Sequence, residues 1–229
     1  MTVSLVWATP DADALIARIA RVSNPANEGN DATAPRLLAY LIRNRHWSPF
    51  EMASVCMEVV TTRDIGRQLL RHYLRPQEFS QRYQDVRALG EPVFREARMQ
   101  DATNRQASIP CEDEGVRAEW LRRQQAQWDA AVGHYTWALD RGFAKEVARV
   151  VMPEGNTPTR MYFAGQLRQW LHFCEVRRGH GTQPEAVAVA EGAWDVLRGV
   201  CPAVVQAWEA ASGQTASANA IPNPSKPPA

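Results

Sequence analysis

The amino-acid sequence predicts an α+β fold, an antiparallel or mixed sheet with flanking helices. Short stretches at residues 3–7, 53–61 and 157–165 are strand-like. Most of the remaining apolar residues recur at helical spacing. The strands are scattered between helices without regular strand–helix–strand spacing, which argues against a parallel α/β sheet. With 229 residues, no internal repeat and no shift in composition, the chain reads as a single domain over residues 1–211 with a polar, Pro-rich tail at 212–229.

Val3–Trp7 opens as a strand. Asp11 or Asp13 can cap a helix carrying Leu15, Ile16, Ile19 and Ala20, ending near Ser23-Asn24-Pro25. After a polar loop, a second helix from Ala34 to Arg45 turns Leu37, Leu38, Leu41 and Ile42 inward, and Pro49 prevents its continuation. Ala53–Thr61 is a strand. A third helix runs from Thr62 or Asp64 to about Tyr73, with Ile65, Leu69 and Leu70 inward, and Phe79–Val86 is expected to be extended. Residues 87–116 are polar and broken by Pro92 and Pro110. From Val116 to Arg141 a long helix carries Trp120, Leu121, Trp128, Val132, Tyr135 and Leu139, a stripe for a core or a subunit interface, closed by Gly142. A short helix at Ala144–Met152, a strand at Thr157–Gly165, and helices at Gln166–Arg177, Pro184–Val200 and Cys201–Ala211 complete the domain.

Composition excludes several classes. The formal net charge of +1 provides no global field for nucleic acid or an anionic membrane. No apolar run approaches the roughly 20 residues of a membrane span. The N-terminus lacks the basic region of a signal peptide, and Cys56, Cys111, Cys174 and Cys201 lack metal or disulfide spacing, so a cytoplasmic protein with reduced thiols is expected. There is no GxGxxG, P-loop, HExxH or nucleophile elbow. Cys201, before Pro202 in apolar helical surroundings, is unsuited as a nucleophile.

Candidate chemistry gathers in three places. His46, Ser48 and Glu51 surround a Pro-Phe bend. Gln68, Arg71 and His72 fall within about one helical turn, and Glu78, Ser80 and Arg82 would share one side of an extended strand. Arg149, Arg168, His172 and Arg177 form the third group. Guanidinium forks beside an acceptor and a hydroxyl suit an anionic ligand with both phosphate and polar ring atoms.

Arg71-His72 followed by Glu78-x-Ser80-x-Arg82-Tyr83 resembles the signature of the flavin-dependent thymidylate synthases, the ThyX family, which reads RHR, a short spacer, then E-x-S-x-R-Y. Ala20-Arg21-Val22-Ser23, His46-x-Ser48-Pro49-Phe50-Glu51, Arg67-Gln68 and Ala148-Arg149-Val150-Val151-Met152-Pro153 are similar to further family motifs, in the same order over roughly residues 1–210. The resemblance implies that Gln68, Arg71, Glu78, Ser80, Arg82, Arg149 and Arg177 hold dUMP. It places Ser23, Ser48, Glu51, His72, Gln166 and Arg168 around FAD, with His46 toward the pterin side. Arg71, Tyr73, Arg75, Glu78 and His172 complete the flavin side. It further implies a homotetramer with shared active sites, methylenetetrahydrofolate as one-carbon donor and NADPH as reductant.

C5 of uracil is a poor nucleophile. With no suitable cysteine, its activation is expected from reduced flavin together with charge stabilisation at the uracil carbonyls. Arg177 is the residue expected to supply that charge, with Arg82 and Arg149 on the phosphate and Ser80 positioning the base. The sequence also departs from the family pattern. RHR is Arg71-His72-Tyr73, the spacer to Glu78 is one residue shorter, and Arg75-Pro76 alters the path. Gln166 and His172 stand where the family carries asparagines, and Met52 where it carries histidine. These changes gather on the flavin and folate side. They motivate an alternative in which water captures the exocyclic methylene, giving 5-hydroxymethyl-dUMP, and a second in which the chain binds nucleotide or flavin without catalysis.

Overall fold

The computed structural model describes residues 1–179 and 181–218. In chain order the elements are β1 (Thr2–Ala8), α1 (Ala12–Ala20), α2 (Ala34–Arg43), β2 (Ser54–Thr62), α3 (Arg63–Leu69), β3 (Arg75–Glu78), β4 (Arg98–Gln100), β5 (Ser108–Pro110), α4 (Glu114–Asp140), α5 (Lys145–Ala148), β6 (Pro158–Gln166), α6 (Leu167–Arg177), α7 (Pro184–Val200) and α8 (Pro202–Ala218). Four strands form a sheet ordered β1-β2-β6-β3, and β4 and β5 form a small antiparallel pair. The predicted α+β class is the observed one. The Cys201–Ala211 helix continues to Ala218, into the stretch read as tail, and residues 219–229 lie outside the described residues.

The chain divides into two compact units. One comprises Met1–Trp7, Val55–Gly165 and Gln169–Trp194; the other comprises Ala8–Ser54, Gln166–Arg168 and the described residues from Asp195 onward. In the first, Met57, Ile65, Leu69, Met161, Phe163, Trp170 and Phe173 are buried, and Trp170 Nε1 donates to the Val55 carbonyl at 3.0 Å. β3 pairs antiparallel with β6, Arg75 facing Ala164 and Glu78 facing Met161. Pro76 lacks an N–H, and the outermost position of β3 in this sheet accommodates that. Gly165 is a close approach: a Cβ there would overlap Leu74 Cδ2.

In the second unit, Ile16, Leu38, Phe50 and Val204 are buried, and Trp47 packs on Trp208. Asp11 occupies the N-cap position of α1 without a side-chain cap bond. Asp13 instead accepts from the Ala203 and Val204 amides at 2.8 and 3.2 Å, capping α8 rather than its own helix.

Other expectations change for local reasons. α3 ends at Leu69, because the Arg71 and His72 amides tighten to three-residue bonds with Gln68 and Leu69, and Leu70 is exposed. The extended reading of Phe79–Val86 fails. The Tyr83 and Gln84 amides fold back onto the Ser80 carbonyl, and Asp85 caps a 3-10 turn at Val86–Leu89. Along α4, Trp128 and Tyr135 belong to a core cluster with Val86, Ala131, Ala138, Ala148 and Met152, while Trp120 and Leu121 are exposed. Asp113 starts that helix by accepting from the Val116 amide at 3.0 Å, and Gly142, at φ 78°, lies just past its end. The four cysteines are buried thiols, and burial pushes Cys174 up to about 12.

Candidate active site

The most ordered cluster of predicted site residues centres on Arg177, the last residue of α6. Its Nε donates to His72 Nε2 at 2.8 Å, Nη2 to the Gln68 carbonyl at 3.2 Å, and Nη1 lies 3.4 Å from Gln68 Oε1. Gln68 comes from α3 and His72 from the turn after it, so α3 and α6 together present the group. The His72 ring stands edge-on to Phe173, with centroids 5.0 Å apart. Burial, then the charges of Arg177, His172 and Arg71, push its imidazole down to about 4. His72 is therefore neutral near pH 7 and can accept from a guanidinium that only donates. Burial and the nearby Arg71 also lower the Arg177 guanidinium from its ordinary value, which leaves it charged.

The signature residues beyond His72 behave differently. Glu78, Ser80 and Arg82 do not share one side of a strand: β3 ends at Glu78, and Ser80 and Arg82 belong to the turn. Glu78 Oε1 accepts from Arg63 Nη1 at 3.0 Å and from Thr159 Oγ1 at 2.9 Å, which ties the carboxylate into the wall of its own unit. Arg82 pairs with Glu146 at 2.9 Å, both side chains at least half exposed. Arg71, Tyr73 and Arg75 are exposed, Tyr73 at 85%. Arg149 is half-buried in a 3-10 turn ahead of Pro153, and His172 sits 3.7 Å from Glu175.

The third sequence group divides between the units. Arg149, His172 and Arg177 lie in the first and Arg168 in the second, where it is ion-paired to Glu51. Ser23, His46, Ser48, Glu51 and Gln166 also belong to the second unit. Ser48 and Glu51 bracket a 3-10 turn started by Pro49, and His46 lies edge-on to Tyr40. Ser23 lies two residues past Arg21, a buried arginine whose Nη2 donates to Thr33 Oγ1 at 2.8 Å.

Sequence reasoning passed over three residues that shape this site. Arg63, at the start of α3, holds Glu78. Gln183 accepts from Gln68 Nε2 at 2.7 Å, and Glu185 stands in the first turn of α7. Nothing local announces Arg63 or Gln183, because their partners are 15 and 115 residues away. Among the described residues there is no group of three or more histidine, cysteine or acidic side chains fit to hold a metal, and no helix is long and apolar enough to cross a membrane.

An α+β chain that gathers guanidinium, imidazole and amide groups where two helices end is what the thymidylate synthase complementing proteins share with this one by sequence match. The chain belongs to that family, whose model matches residues 4–203. It is 39% identical over 208 residues to a probable flavin-dependent thymidylate synthase of Paramecium bursaria Chlorella virus 1, covering 90% of this chain and 95% of that one. A flavin-dependent thymidylate synthase of Synechocystis is 40% identical over 198 residues, 86% of this chain and 89% of its own. Among solved structures, the UMP/dUMP methylase PolB from Streptomyces cacaoi, bound with 5-Br dUMP, superposes with a TM-score of 0.80 at 27% identity, covering 91% of this chain and 94% of that chain.

Proposed function

We propose that the protein transfers a one-carbon unit to C5 of dUMP and reduces it to a methyl group, giving dTMP. The observation that carries this reading is the Arg177 guanidinium, held by a neutral His72 and by Gln68 at the end of two helices. A fixed cation of this kind stabilises charge developing on a uracil carbonyl oxygen as C5 becomes nucleophilic, and it does so without proton transfer. Because its Nε is committed to His72, the fork is oriented before substrate arrives, which removes reorganisation from the reaction. Arg71, Arg82 and Arg149 supply further positive charge for the phosphate, Ser80 positions the base, and Glu78 acts through the wall it forms with Arg63. For Arg82 this requires exchanging Glu146 for the phosphate, an exchange between exposed partners that costs little.

The residues fit a flavin. Ser23 and Ser48 offer exposed hydroxyls, and Glu51 with Arg168 forms a partly exposed acceptor–donor pair suited to polar ring atoms and phosphate. His46 and Gln166 extend this set within the same unit, and in the other unit Tyr73, Arg75 and His172 are exposed polar groups of the same kind. Bound FAD would supply the two-electron redox chemistry, with NADPH as its reductant and methylenetetrahydrofolate as the carbon source. The protein's own part is to bind, orient and shield.

We further take residues 1–211 to act as one catalytic domain working in the cytoplasm as a homotetramer. Exposed Trp137, Phe143, Val147 and Val150 support the last point, as large apolar side chains open to a partner. Light scattering should return about four times the 25.6 kDa chain mass.

The deciding experiment incubates the protein with dUMP, methylenetetrahydrofolate, FAD and NADPH and weighs the nucleotide. A methyl increment is expected. A hydroxymethyl increment would replace the last step by capture of water, and unchanged dUMP beside bound flavin would leave a binding protein.

A further inference from the structure

Gln68 is an amide between two neighbours, and its orientation is not free. On one side stands Arg177, which can only donate, so Gln68 Oε1 must face it. Its Nε2 then faces Gln183, whose Oε1 accepts at 2.7 Å. The Gln183 amide is left with its own N–H groups, and its side chain bonds the Glu185 carboxylate, which only accepts. Glu185 is held in place by Arg98 of β4, whose Nη2 lies 2.7 and 2.9 Å from its two oxygens, with Arg95 3.9 Å away. The result is a hydrogen-bond chain running one way from a cation to an anion: Arg177 to Gln68 to Gln183 to Glu185. All four residues lie in one compact unit. The charges at its ends set the polarity of both amides, and reversing either amide would set donor against donor or acceptor against acceptor.

We propose that Gln183, anchored by Glu185, is a positioning residue that holds the Gln68 amide with its oxygen on Arg177 and its second N–H turned to the bound nucleotide. The inference rests on the reading of dUMP as substrate. Gln183 itself touches no substrate; it acts through Gln68. Its position before Pro184 suits this role, because the proline fixes the backbone where α7 begins.

The test is a double-substitution cycle on dUMP affinity, measured by titration calorimetry on the full chain. Four proteins are compared: the parent, Gln68→Ala, Gln183→Met and the double variant. Methionine keeps the volume of glutamine while removing both hydrogen-bonding ends; Gln183→Ala serves if Gln183→Met unfolds. In the parent background Gln183→Met should weaken dUMP binding about tenfold, in the range of a lost hydrogen bond to a charged network. In the Gln68→Ala background the same change should weaken it less than about twofold, since no amide remains to be positioned. Equal losses in both backgrounds, or no loss in either, overturn the inference. If the parent binds dUMP and Gln68→Ala binds it equally well, Gln68 leaves the site and Gln183 with it, while the dUMP reading stands. A parent that binds no dUMP overturns both.

Discussion

Two of the arginine-bearing stretches of this site are treated by the structure in opposite ways. At the ends of α3 and α6, Arg177, His72 and Gln68 are locked to one another and half-buried. Between Arg71 and Arg82, by contrast, Arg71, Tyr73, Arg75 and Arg82 are exposed, and the ion pair of Arg82 with Glu146 lies at the surface. The first region is shaped before any ligand arrives. The second derives its order from strand pairing and a turn, and its arginines remain available. A site built this way can be rigid where charge must be stabilised during reaction and adaptable where a phosphate has to enter and leave.

The comparison is broken most directly at Arg177. Arg177→Ala should lower turnover on the order of 10²–10³-fold, as loss of one preorganised charge-stabilising donor does, while the thermal unfolding midpoint stays near the parent's. Near-normal turnover would remove Arg177 from the chemistry. Glu78 sharpens the contrast within the signature itself. Glu78→Ala strips Arg63, with a side chain only 10% exposed, of its nearer carboxylate and should cost about 2 kcal/mol in urea unfolding, leaving Glu154 at 3.7 Å as a weaker substitute. A stability unchanged by that substitution would mean that Glu78 belongs to the adaptable region after all.

His72 ties the ordered region to pH. Its folded imidazole stays neutral to about 4 against an ordinary value of 6.5, so between these values the unfolded chain binds more protons. Its contribution to stability is therefore complete above 6.5 and is lost as pH falls toward 4. Melting temperatures measured across that window should decline less steeply for His72→Phe than for the parent; parallel declines would show that the imidazole is not held neutral. The smallest effect belongs to Arg82. Breaking its exposed pair with Glu146 by Arg82→Ala should change stability by less than about 0.5 kcal/mol, yet raise the KM for dUMP if the guanidinium meets the phosphate. A KM at the parent's value would take Arg82 out of phosphate binding.

Much of the fold was legible in punctuation. Pro184, Gly142 and the strand alternation at 53–61 and 157–165 mark elements at nearly their observed limits, because each signal acts on the backbone within a few residues. The Phe79–Val86 stretch misled because its alternation of large and polar residues looks extended, whereas Ser80 and Asp85 offer the backbone turn partners that win locally. The division into two units left no trace in composition, since one unit is assembled from chain segments far apart in sequence. Within the candidate site, residue types were readable and pairings were not. Arg177 announces itself by charge and Gln68 by its spacing to Arg71 and His72, while the bond from Gln68 to Gln183 joins two neutral amides that only tertiary packing brings together.

The carboxylate of Asp13 at the first turn of α8 has a consequence in time rather than in energy. It joins residues 190 and 191 positions apart. During synthesis at about 5–20 residues per second, α1 therefore waits roughly 10–40 s before α8 emerges to meet it. Until then the apolar faces of α1 and α2, with Ile16 and Leu38 at their centres, lack the Val204 side of their core. Their unit is the last part of the chain able to close, and a released chain truncated short of residue 203 should leave it sensitive to protease while the sheet-bearing unit is protected.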